Sequence, residues 1–174
     1  MAAGQGGAVT RSDEAAGPDM WRAMLALSAE LSGVEMIRAL VEGRVPHGEH
    51  HRLLGLRYRE ADPGRVAVDW TPPAALVNFA GSGVHGGYIA MAFDDVCGSA
   101  CASAGERAFP VITLNLDIDF LRPVRPGRPY RLDAELVHGG RQRMIVNARV
   151  LEPTDTLAAQ ATASMIVNAR SSDR

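Results

Sequence analysis

The sequence predicts an α+β fold in which one antiparallel sheet wraps around a single long buried helix. Three observations carry this. Apolar residues recur at helical spacing near the start of the chain, at strand spacing in two short runs, at helical density from about residue 86 to 105, and at strand spacing again to the end. The strand runs are joined by tight-turn signals, Asp62-Pro63-Gly64 and Gly139-Gly140, which makes neighbours antiparallel. The helical stretch in the middle is apolar around its circumference over Tyr88–Phe93, so it must be enclosed.

Taken in order, residues 1–19 are rich in Ala, Gly and charge and have no period, which predicts a disordered arm. A single domain is expected over 20–170. Its first element is an N-terminal helix over 20–43, or a pair broken near Ser32-Gly33, with Trp21, Met24, Leu25, Leu31, Val34, Ile37 and Val41 on its apolar side. His47-Gly48-Glu49-His50-His51 contains zinc-ligand types, but not at the i, i+4 spacing of a helical His pair. It lies beside Pro46 and reads as a loop, and no metal is expected. Leu53–Glu60 and Arg65–Thr71 alternate as a strand, turn, strand unit, closed by Pro72-Pro73. After the central helix come Val111–Arg122, Tyr130–His138, Arg141–Leu151 and Leu157–Asn168. The first of these sets Ile112, Leu114, Leu116, Ile118 and Phe120 against Asn115, Asp117 and Asp119, so one face is wet or meets a partner.

Polar chemistry concentrates between Asn78 and Asp95. Glycines at 81, 83, 86 and 87 precede the apolar run, so the helix begins near His85 or Gly86. Unpaired N–H groups at such a start can receive an anion or a developing oxyanion. Asp94 and Asp95 follow more than two turns later, where a buried carboxylate without a task would be costly. Nine residues separate His85 from Asp94, roughly 180° around the helix and ~13 Å along it. One copy therefore cannot easily bring both to one substrate, whereas two antiparallel copies about a dimer axis can.

At 174 residues with 47% hydrophobic content the chain can bury one core, and a formal charge of −2 gives no polybasic signature for nucleic acid. No apolar run reaches membrane-spanning length and no basic, apolar leader opens the chain, so a cytoplasmic protein is expected. Cys97 and Cys101, at i and i+4 on the central helix, suit buried structural thiols. Gly81-Ser82-Gly83-Val84-His85-Gly86 spells a dinucleotide-binding fingerprint, but no strand feeds directly into it and the following strand alternates, so that match is read as accidental.

Asn78, His85-Gly86-Gly87 and Asp94, with Asn-Leu-Asp-Ile-Asp-Phe-Leu-Arg-Pro-Val-Arg-Pro-Gly over 115–127, resemble the hotdog-fold acyl-CoA thioesterases of the phenylacetate-pathway (PaaI-like) family. Leu53-Leu54-Gly55 also resembles that family's first strand. The resemblance covers roughly Gly33 to Val167. It implies a hotdog fold and hydrolysis of an acyl-CoA to free acid and coenzyme A without a further cofactor or metal, in a homodimer or dimer of dimers. It also implies Asp94 as general base or nucleophile, the Gly86 N–H as oxyanion donor, and His85 shaping the turn or touching the thioester oxygen. Asn78 would orient water or thioester, and Thr113 would assist the aspartate where relatives carry a hydroxyl; Asp95 is then an extra carboxylate. Read from the residues alone, Asn78 also suits a loop residue bonding its own backbone, and Thr113 an ordinary strand residue.

Gly87 and the cluster Arg122, Arg125 and Arg128 around a Pro-rich turn are candidates for holding the coenzyme. Tyr88, Phe93 and Phe79 are candidates for the pocket wall. Two other functions fit less well: a non-catalytic acyl-CoA-binding or regulatory module, which would not need Asp94, and an acyl-thioester dehydratase, whose catalytic His and carboxylate pair is not seen here.

Overall fold

The computed structural model describes residues 26–27, 30–107, 110–140 and 143–167. The arm over 1–19 and the opening of the predicted N-terminal helix lie outside the described residues. The break predicted near Ser32-Gly33 is a helix start: α1 runs Gly33–Val41. The Ser32 hydroxyl accepts from the Glu35 N–H while the Glu35 carboxylate accepts from the Ser32 N–H, a reciprocal cap. Its Met36, Ile37 and Leu40 are buried. Gly33 sits so close to the end of the central helix that a Cβ there would lie 1.7 Å from the Ala102 carbonyl oxygen, and its N–H donates to Gly105 O at 3.0 Å.

The segment expected as a loop, and Leu53-Leu54 expected as strand, form instead a short helix, α2, Glu49–Leu54. Gly48 N–H donates to His51 Nδ1 at 3.0 Å, so a histidine at the third helical position supplies the bond back to the cap N–H that Glu or Gln usually gives. Gly55 ends the helix in the left-handed region at φ 75°. A Cβ on Gly55 would lie 2.3 Å from the Thr71 carbonyl oxygen. Gly55→Ala is accordingly expected to destabilise the fold by about 2 kcal/mol, combining left-handed strain with a backbone clash. Chemical denaturation reads this directly, and an unchanged midpoint would mean that the turn is not built as described.

Six strands follow in chain order: β1 Leu56–Asp62, β2 Arg65–Trp70, β3 Val111–Phe120, β4 Tyr130–Gly139, β5 Met144–Leu151 and β6 Leu157–Val167. They form one sheet in the order β1-β2-β4-β5-β6-β3, with each neighbouring pair antiparallel. That pairing removes the parallel strand a dinucleotide fingerprint requires. The central helix, α3 Gly86–Ser103, packs against every strand. Its Phe93, Val96 and Ala100 meet Trp70, Leu132, Val146 and Met165 in one core. Trp70 keeps its indole N–H satisfied on Leu54 O at 2.8 Å. The buried Ser103 hydroxyl accepts from Gly64 N–H at 3.0 Å, tying the β1–β2 turn to the end of α3.

β3 departs from its sequence reading. Its register shifts between Thr113 and Asn115, a bulge at Leu114, and it is an edge strand. Ile112, Leu114 and Phe120 are about half exposed, so its apolar residues are not simply the core-facing set.

Candidate active site

The start of α3 is held by its preceding loop. A 3-10 turn over Ala74–Leu76 presents Leu76 O to the His85 N–H at 2.8 Å, and Val124 O accepts the Val84 N–H at 2.7 Å. His85 is the helix cap: its ring Nδ1 accepts the Gly87 N–H at 3.0 Å. The acceptor role leaves the ring proton of neutral His85 on Nε2, on an exposed side chain able to donate outward. Among the described residues no acceptor lies on the Gly86 N–H, whereas that of Gly87 is taken. The sequence named both glycines for ligand contact; the geometry leaves the first available as an N–H donor.

Asn78 sits at the base of this loop with its side chain turned onto Ser82. Its Oδ1 accepts the Ser82 N–H and its Nδ2 donates to Ser82 Oγ, both at 3.2 Å. In this chain it braces the loop. In the single chain Phe79 is fully exposed at the loop tip and Phe93 is fully buried in the core.

At the other end of the site, Thr113 Oγ1 on β3 donates to Asp94 Oδ1 at 2.6 Å. The pair lies in a cleft of about 280 Å³ that also touches Asp95, Gly98, Ser99 and Val111. Asp94 is exposed in the single chain, so the carboxylate whose burial needs explaining is Asp95, not Asp94. Eight residues of helix separate Gly86 from Asp94, about 12 Å along the axis. A helix-start N–H without an acceptor and a hydroxyl-supported carboxylate thus occupy two places on one chain.

Residues 81–159, which include the helix start, α3 and β3, match the thioesterase superfamily. The chain is 27% identical over 157 residues to the medium/long-chain acyl-CoA thioesterase YigI of Escherichia coli K12, covering 81% of this chain and 99% of that one. Among solved structures, the E. coli PaaI protein of the phenylacetic acid degradation operon shares the fold, with TM-score 0.68 at 21% identity over 78% of this chain and 96% of that one. The protein smu.793 of Streptococcus mutans UA159, solved bound to acetyl CoA, is 27% identical at TM-score 0.61, over 65% of this chain and 88% of that one. Over residues 81–159 the chain thus matches the thioesterase superfamily, and its fold is the hotdog fold of the PaaI structure.

The three candidate coenzyme arginines, Arg122, Arg125 and Arg128, do not form one free patch. Arg122 donates to Leu157 O at 2.6 Å, Arg125 to Ser82 O at 3.3 Å, and Arg128 lies 3.8 Å from Glu152. Arg125 is thereby tied to the loop that precedes the Gly86 N–H. Cys97 and Cys101 are buried, with burial pushing their thiols up to about 12 and about 11, so both stay protonated. Among the described residues no helix is long and apolar enough to cross a membrane.

One group of residues was not anticipated. Asp95, 16% exposed, accepts hydrogen bonds from His50 Nε2 at 3.1 Å, His51 Nε2 at 3.2 Å and Tyr58 Oη at 2.9 Å. These bonds hold its carboxyl well below the usual carboxylate range, against the opposing effect of burial. The hydrogen bond to Asp95 in turn raises His50. His50, His51 and Asp95 place potential ligand atoms within 4.8 Å of one another. The tautomer argues against a metal: His51 Nδ1 accepts the Gly48 N–H, so its proton sits on Nε2 and points at Asp95. Metal on Nε2 would drive that proton to Nδ1, against an N–H. The cluster is a hydrogen-bonded carboxylate. Its partners lie 37 to 45 residues away in sequence, and only the short helix α2 brings two of them there.

Proposed function

We propose that the protein hydrolyses an acyl-CoA thioester to a free acid and coenzyme A, with Asp94 as general base or nucleophile. The observation that carries this is the Thr113–Asp94 bond in an open cleft of a thioesterase-superfamily chain. The curated relatives described as medium/long-chain acyl-CoA thioesterases, and the acetyl CoA held by smu.793, support the substrate class. Thr113 donates to one carboxylate oxygen and leaves the other to take a proton from water or to attack the thioester carbon. As the tetrahedral oxyanion forms, the Gly86 N–H stabilises it at the positive end of α3. The outward Nε2–H of His85 is placed to donate to the same oxygen, and Asn78 keeps the loop in shape. In the general-base route the proton that Asp94 takes from water passes to the departing thiolate of coenzyme A. In the nucleophilic route the thiolate leaves with a proton from water, and a second water hydrolyses the acyl-aspartate anhydride to the free acid and restores Asp94.

The two halves of this chemistry stand about 12 Å apart along one helix, so each site is shared: Asp94 and Thr113 come from one copy, Gly86 and His85 from the other. The exposed apolar edge of β3 is the surface on which two copies meet. A homodimer, or a dimer of dimers, is the functional unit.

Release of free thiol from a panel of short, long and aryl acyl-CoAs tests the activity. Steady turnover of at least one class is expected, while stoichiometric binding without turnover would leave a binding module instead.

Of Arg122, Arg125 and Arg128, it is Arg125 that meets the nucleotide phosphates near the helix start, through its tie to Ser82. Arg125→Glu is expected to raise KM by about 10-fold with kcat little changed, because contacts remote from the thioester bind ground and transition states alike. Loss of the salt dependence of KM should accompany it. An unchanged KM would leave this arginine a brace for the loop.

A further inference from the structure

Asp94 and Asp95 are adjacent on α3 and do different work. Consecutive helical residues point about 100° apart. With Asp95 drawn toward α2 and β1, Asp94 is turned toward β3 and Thr113. Each donor to Asp95 is itself fixed. His51 is anchored by the Gly48 N–H, its ring is 4.0 Å from that of His50, and the buried Tyr58 hydroxyl lies 2.5 Å from Ser99 Oγ. His47 closes the cluster, its ring 5.3 Å from that of His51 and stacked 6.3 Å from Tyr58.

Elsewhere α3 is gripped mostly by apolar contacts, many through small residues such as Ala92 and Ala100, which set distance better than rotation. Besides the Asp94–Thr113 bond, its side-chain hydrogen bonds to other parts of the chain or cap, among the described residues, are His85 at the start, Asp95 and Ser99 in the middle, and Ser103 at the end. The middle group alone adjoins Asp94. At a side-chain radius of about 5.5 Å, a 20° rotation of the helix moves a carboxylate by ~2 Å. That is enough to break a 2.6 Å bond to Thr113.

We propose that Asp95 is a positioning residue: clamped by His50, His51 and Tyr58, it fixes the rotation of the helical turn that carries Asp94 and so holds Asp94 on Thr113 in the cleft. The role rests on the reading of Asp94 as the reacting carboxylate. Asp95 touches no substrate; it acts through its neighbour. Asn at 95 would turn an N–H₂ toward one of the donors and release the turn.

The test compares Asp95→Asn, His50→Leu and His50→Gln, each in the wild-type and Asp94→Asn backgrounds, reading kcat, KM and Tm. Asp95→Asn is expected to lower kcat by about 10-fold with KM within about twofold, since a misplacement of the order of 1 Å at a reacting group suffices for such a loss. His50→Leu should lower kcat by about threefold, and His50→Gln, which keeps an N–H donor near the Nε2 position, should restore it. In the Asp94→Asn background none should change the residual rate. His50 is exposed, so its two variants carry the test even if Asp95→Asn fails to fold. The proposal is overturned if the variants lower Tm but leave kcat at wild type. It is equally overturned if they cut the residual rate of Asp94→Asn by the same factor as that of the wild type. Should Asp94→Asn itself keep wild-type turnover, the reading of the reacting carboxylate falls, and the positioning role with it.

Discussion

Asp94→Asn is expected to lower kcat by ~10² or more while acyl-CoA binding stays within about twofold, the size of loss usual for a removed acid–base group. Asparagine has nearly the same volume, and its Oδ1 can still accept the Thr113 hydroxyl, which now donates to Asp94 at 2.6 Å. The cleft should keep its shape. What disappears is basicity and nucleophilicity, so the loss belongs in kcat and not in KM. Retention of more than about a tenth of wild-type turnover would remove Asp94 from the chemistry. The neighbouring carboxylate makes the comparison sharp: Asp95→Asn, whose partners are His50, His51 and Tyr58, should be the milder change by an order of magnitude. A reversed order of severity would exchange the roles of the two aspartates.

How far the sequence reached is clearest from particular elements. The hairpin strands were readable because alternation and turn residues are local: Asp62-Pro63-Gly64 does close β1 onto β2. The start of α3 was readable for the same reason, its glycines standing directly before an apolar run, and His85 is its cap. Helix α2 was not. It is six residues long, has no Ser, Thr, Asp or Asn at its cap and uses a histidine ring for the bond back to the cap, so its start signals are reduced to Gly48 and Glu49; Gly55 just after Leu53-Leu54 is the local sign of its end. With α2 misread as loop and strand, the partners of Asp95 had no reason to converge. A carboxylate buried on an apolar helix needs partners, and the buried one here is Asp95.

The candidate site shows the same division. Thr113 was proposed from family likeness and meets Asp94 across two elements, a contact no local pattern encodes. Asn78 was open to either role, and its side chain bonds Ser82 within its own loop. The bulge at Leu114 shifted the register of β3, so strict alternation misjudged which of its apolar residues reach the core. Edge position and bulge are set by pairing with β6, roughly fifty residues downstream of β3, and not by β3 itself.

The proposed sharing of each site between two copies predicts that two inactive variants should restore each other. Asp94→Ala removes the carboxylate and Gly86→Pro removes the oxyanion N–H, the latter at a typical cost of ~10² to 10³ in kcat. The structure favours Gly86→Pro as a clean change. Gly86 is the first residue of α3, where proline is tolerated because its N–H has no intrahelical acceptor, and His85 before it has ψ 134°, the extended conformation a pre-proline residue prefers. A Cβ on Gly86 would meet only the Phe120 ring, at 3.4 Å. Asn78 is best left alone, since its side chain holds the loop. Each variant by itself should be nearly inactive. After joint refolding, a mixed dimer has one site with an intact Asp94 from the Gly86→Pro copy and an intact Gly86 from the Asp94→Ala copy, and a second site that lacks both. Random mixing makes about half the dimers mixed, each with one good site of two, so turnover should return to roughly a quarter of wild type. Mixtures that contain heterodimers by native mass spectrometry and still show no recovery would mean that each copy houses its own complete site. The path from Gly86 to Asp94 would then have to be bridged within one subunit, across about 12 Å of helix.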